Sequence, residues 1–133
     1  MSTDGTARTF VLVCGLMLAG CGGSPSGPSG GGPPNTPTVT ITASGISPST
    51  VNVSPGGRVL FVNSDTRSHD MEWDPHPDHQ GPCTQAGVNP PGFLAAGQSR
   101  ETGNFVNVQT CGYHDHDNPP PGGSRWAGTI RVN

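Results

Sequence analysis

The chain contains no lysine, and its six basic residues, all arginines, are scattered through 133 residues. With a formal net charge of −3 it carries no basic stripe able to neutralise phosphates, which excludes nucleic acid as a partner. A long hydrophobic run is also missing. The apolar stretch Phe10 to Leu18 is far shorter than the roughly 20 residues a membrane-spanning helix needs. No 3.6-residue apolar stripe is sustained, because glycine and proline recur every few residues, and this excludes a helical bundle. There is no glycine-rich phosphate loop at a strand–helix junction, no Gly-x-Ser-x-Gly elbow and no internal repeat. Nucleotide binding, serine-hydrolase chemistry and solenoid architectures lose their sequence support with them.

What is present begins with a leader. Arg8 precedes the apolar run, whose length suits the hydrophobic region of a signal peptide. The run ends in Leu18-Ala19-Gly20-Cys21, which resembles the lipobox of bacterial lipoproteins. That resemblance implies a signal peptide over residues 1–20 and acylation of Cys21, with the chain anchored to a lipid membrane of the bacterial cell envelope and facing the periplasm or the exterior. Residues 21–38 are nearly all Gly, Ser and Pro after the cysteine. Such a segment cannot bury enough apolar surface to offset its ordering entropy, so it reads as a flexible tether with a root-mean-square span of roughly 20–25 Å.

Residues 39–133 make one domain. Val39-Thr-Ile-Thr42, Thr50-Val-Asn-Val53 and Trp126 to Val132 alternate apolar and polar residues with the period of a strand. Gly57 to Asn63 reads as a strand buried on both faces, and Ser99 to Val106 as a weak edge strand. Short strands separated by Gly/Pro/Asn turns predict an all-β sandwich or barrel.

All five histidines fall into two clusters. His69, His76 and His79 lie in Ser-His-Asp-Met-Glu-Trp-Asp-Pro-His-Pro-Asp-His, and His114 and His116 in Cys111-Gly-Tyr-His-Asp-His116. Neutral imidazole is the commonest protein ligand for transition metals, and thiolate adds preference for softer ions. His114 and His116 are two apart, so an extended backbone points both rings the same way. Five histidines from two distant segments predict a metal site, with Asp70, Asp74, Asp78, Asp115 and Asp117 available to orient rings.

These segments, in this order, resemble the cupredoxins, the plastocyanin and azurin family. Ile46 to Asp65 matches the strand, Pro-Gly turn, strand and Asn-x-Asp segment of that family, Cys111-Gly-Tyr-His114 its Cys-x-x-His, and Gly128-Thr-Ile-Arg-Val132 its last strand. The resemblance implies a Greek-key β-sandwich holding copper, with His69 and His114 as principal ligands; the extra histidines depart from the family pattern and are the further candidates, His116 and His76 next and His79 last. It departs from the family where an axial methionine would stand, since Trp126 occupies that position. Met71 is the only methionine after the leader, and it is expected to pack in the sandwich.

After the leader and Cys21, two cysteines remain, Cys83 and Cys111. A pair in an exported domain favours a disulfide. The resemblance offers the alternative that Cys111 is a copper thiolate ligand. The disulfide is preferred, because surplus histidines and a missing methionine suit an all-imidazole site. The function expected is electron transfer with a periplasmic redox partner, the alternative being copper storage, delivery or resistance without redox cycling. Nothing in the sequence supplies a separate acid/base pair or a substrate cleft, so the chain is not expected to be an enzyme.

Overall fold

A computed structural model describes residues 36–133. The signal-peptide and Cys21 expectations lie outside the described residues, as does most of the tether; Thr38, read as its last residue, already opens the first strand.

Among the described residues, nine strands form two sheets. They are β1 (Thr38–Thr42), β2 (Gly45–Ser47), β3 (Thr50–Val53), β4 (Leu60–Asn63), β5 (His69–Trp73), β6 (Gly92–Leu94), β7 (Ser99–Glu101), β8 (Gln109–Asp115) and β9 (Ala127–Val132). A one-turn helix α1 (Pro82–Gln85) and a 3₁₀ turn (Ser124–Trp126) complete the described elements. The first sheet has the order β2-β1-β4-β7, the second β3-β9-β8-β5-β6. Pairings are antiparallel except β1 with β4 and β3 with β9.

Alternation decides which residues meet between the sheets. Val39 and Ile41 of β1, Val51 and Val53 of β3, and Ile130 and Val132 of β9 point inward, as the sequence pattern requires. Trp73, Tyr113, Phe61 and Phe105 fill the centre, fully buried, each contributing roughly 1.5–3 kcal/mol by leaving water. Tyr113 meets Phe61 edge-on at 5.0 Å, and Trp73 meets Phe105 at 6.0 Å. Burial raises the Tyr113 phenol well above its ordinary pKa.

The β-sandwich is as expected, with local differences. Residues 57–59 are not strand: a turn returns the Gly57 amide to Ser54 O, and the Val59 amide bonds the Thr102 hydroxyl rather than a ladder partner. The edge strand is shorter than its sequence pattern, ending at Glu101. The segment carrying Cys111 and His114, which the resemblance treats as a ligand loop, is the seven-residue strand β8 at the heart of the second sheet.

Candidate metal centre

Strand parity divides the histidines. On β8, Cys111, Tyr113 and Asp115 face the core, while Gly112 and His114 face the outer surface of the second sheet. On β5, His69, Met71 and Trp73 face inward, and Glu72 lies in register beside His114. His69 and His114 therefore sit on opposite sides of one sheet, as do Cys111 and His114.

The outer face is covered by residues 74–81, which fold back from the end of β5. The Asp74 amide donates to Gly112 O at 3.0 Å, and its carboxylate occupies the space that a Cβ at position 112 would need. Gly81 packs equally tightly on Asp74 O, so both glycines are required for the loop to lie this close. It delivers His76 and His79 over His114, with His116 following from the end of β8, its amide bonded to Asp70 O. One ring nitrogen from each of His76, His79, His114 and His116 lies within 4.8 Å of all the others.

Two rings are aimed by groups outside the cluster. His114 donates from Nδ1 to Asp74 Oδ1 at 2.6 Å, which fixes the tautomer and leaves Nε2 with its lone pair inward. That Nε2 is buried and has no hydrogen-bond partner among the described residues. His79 donates from Nδ1 to Trp73 O at 2.6 Å, and its ring stacks on His114 with centroids 5.2 Å apart. Its backbone has φ of 51°, a left-handed conformation uncommon outside glycine. His79 Nε2 and His116 Nδ1 are 3.0 Å apart. His76 is exposed, 5.0–5.8 Å from the other three ring centroids.

The donor set fits a metal. Nitrogens at roughly 2.0–2.1 Å from a common ion are at most about 4.2 Å apart, so four nitrogens all within 4.8 Å of one another stand near the spacing that a shared ion requires. A buried imidazole nitrogen without a partner is costly unless something accepts its lone pair. Desolvation, and then repulsion from His116, His114 and His79, lowers the His76 pKa, favouring the neutral form that ligates. Desolvation and Asp70 raise Glu72, against the pull of the neighbouring histidines.

His69, placed first among the ligands by the resemblance, is not brought to this cluster. It is fully buried, with Nδ1 2.9 Å from Asp115 Oδ2 and Nε2 3.0 Å from Asp65 Oδ2, so both ring nitrogens are engaged by carboxylates. The hydrogen bond to His69 is the main cause lowering the Asp65 pKa. Asp115 also accepts from the Asp70 and Asp117 amides and from Asn118 Nδ2, while Trp126 covers His69 at 5.5 Å. Trp126 is anchored to Thr42 O and flanked by Arg125 and Arg67. Met71 is in the core, on the face away from the cluster.

Cys111 is joined to Cys83 of α1, with Cα atoms 5.6 Å apart, and this disulfide displaces the thiolate alternative. The ordering of Asp74 against Gly112 was the part hardest to foresee. Its only sequence signal is a glycine in the middle of a strand, which marks a close approach.

No protein-family model matches the chain, and no curated protein matches it in sequence. Solved structures do match. A purple cupredoxin from Nitrosopumilus maritimus aligns with a TM-score of 0.55 at 17% identity, covering 73% of this chain and 99% of that one. A methionine variant of amicyanin in its Cu(I) form aligns at 0.54 and 15% identity, covering 74% and 82%. An oxidised amicyanin variant aligns at 0.56 and 15% identity over the same shares. Identities this low speak for the backbone alone, and together with the two sheets and their strand order they establish that residues 36–133 have the cupredoxin fold.

Proposed function

We propose that this is a membrane-anchored, extracytoplasmic copper protein that carries electrons, holding one copper ion with His76, His79, His114 and His116. The observation that carries this reading is the buried, unpartnered Nε2 of His114, at the convergence of three further imidazoles on a fold whose solved relatives include a Cu(I) amicyanin. Copper bound there would supply a one-electron couple. The chain's own residues hold the rings: Asp74 and the Trp73 carbonyl fix two tautomers, the disulfide secures the loop, and His76 is exposed, where its ring would be open to a redox partner. With no thiolate in the donor set, the copper-loaded protein is pale, not intensely blue. Acylated Cys21 and the Gly/Ser/Pro tether would keep the domain at the membrane.

The test is copper titration of the apo-protein, followed by electron paramagnetic resonance and voltammetry. One equivalent bound with nitrogen hyperfine structure, lost in His114→Ala, and a reversible wave are expected. Failure of the apo-protein to take up copper at neutral pH would refute the reading. The exposure of His76 favours a second reading, non-redox storage or delivery, because a solvent-facing ligand can be exchanged for one from an acceptor. Stoichiometric binding with no reversible wave would select it.

A further inference from the structure

Of the four imidazoles, only His114 has a carboxylate on the nitrogen facing away from the cluster. The corresponding nitrogen of His79 meets a neutral backbone carbonyl. Asp74 is held in that place from three sides. Its amide bonds Gly112 O, its carboxylate fills the missing side chain of Gly112, and its carbonyl lies against Gly81. A β-carbon at either glycine would overlap it. The carboxylate is thus fixed behind His114, on the side remote from where an ion would sit.

Two effects follow from this placement. An ionised carboxylate only accepts hydrogen bonds, so it holds the proton on Nδ1 and turns Nε2 inward as a donor. Its negative charge also makes the ring a more basic ligand, and a charge behind a ligand stabilises a doubly charged ion more than a singly charged one. Resting on the copper site proposed above, we infer that Asp74 is the positioning residue that sets the copper oxidation-state preference, strengthening Cu(II) binding relative to Cu(I) and so lowering the reduction potential.

The test uses the mature chain and its Asp74→Asn variant, which keeps the size and an acceptor oxygen but removes the charge. Cu(II) and Cu(I) affinities are measured separately against competing chelators, and the potential by voltammetry. Loss of such an outer partner weakens metal binding roughly 10–100-fold, and this loss is expected for Cu(II), with Cu(I) changing less than about threefold. Since a tenfold change is 59 mV for a one-electron couple, the potential should rise by roughly 30–120 mV. Gly112→Ala, which retains the Asp74 charge but displaces it, should change the affinities in the same sense. In the apo-protein, the protected Nδ1–H resonance of His114 should vanish in Asp74→Ala while the thermal melt stays cooperative. Equal weakening of Cu(II) and Cu(I) with an unchanged potential would mean that Asp74 merely shapes the pocket and would overturn the inference, as would no change at all. If the wild type binds copper through His114, these outcomes fail Asp74 alone; if the wild type binds none, the copper site and the inference fall together.

Discussion

Replacing His69 by leucine separates the two roles that have been given to this residue. As a copper ligand, its loss would abolish metal binding and leave the apo-fold intact. The structure predicts the reverse. His69 and Asp115 are both fully buried, and their side chains meet at 2.9 Å. Leucine would leave the Asp115 carboxylate facing an apolar side chain, still holding the Asp70 and Asp117 amides and Asn118 but without the imidazole. Removing one partner of a buried charged or hydrogen-bonded pair costs about 3 kcal/mol. For a domain of this size that corresponds to a melting temperature lower by roughly 12–24 °C. Circular dichroism melts of the apo-protein measure the loss. Calorimetric copper titration well below the new midpoint should still find one site, with nitrogen hyperfine structure like that of the wild type. The reasoning is refuted if the variant melts like the wild type but binds no copper.

Removing the disulfide with paired Cys83→Ser and Cys111→Ser should cost about 3.5 kcal/mol on the chain-entropy account of a 28-residue separation, measured by denaturant unfolding. The copper-loaded double variant should stay as pale as the wild type; an intense sulfur-to-copper band that disappears in it would show that Cys111 ligates. Copper affinity should be nearly flat through neutrality and fall as pH drops below the ordinary imidazole pKa of about 6.5, because protons then compete for the rings. The lowered His76 pKa has a definite sign: folding disfavours the proton there, so its contribution to apo-stability is present above that ordinary value and is lost as pH falls below it, which melts between pH 5 and 8 will register. The full chain should partition with membranes through Cys21 and a chain starting at Thr36 should not, as fractionation and mass measurement of the amino terminus will report.

Much of the sandwich was legible because a two-residue period is a direct consequence of one face meeting a core. Val39/Ile41, Val51/Val53 and Ile130/Val132 declare their inward faces by sequence alone. The site was legible in part: the His114/His116 spacing and the His76/His79 cluster name all four converging rings. What the resemblance obscured was parity. Cys111 and His114 are three apart, so once the segment is a strand they point to opposite faces and cannot share an ion. The role of His69 was hidden for a different reason. Its partner Asp115 is 46 residues away, and nothing local marks an aspartate that will be buried against a histidine. Asp65, four residues before it, was visible as the acid of the Asn-x-Asp segment, but that pattern says nothing of a histidine partner.

The Cys83–Cys111 bridge has one more consequence, in the unfolded protein. His79 lies four residues before Cys83, and His114 three residues after Cys111, so the covalent link holds both histidine pairs close together even when the sandwich has melted. The denatured chain would then be a weak chelator in its own right. A ligand stabilises a fold only by the difference between its affinities for the folded and unfolded forms. Copper should therefore raise the melting temperature of the oxidised protein by less than the native-state affinity alone would give, and by more once the bridge is cut.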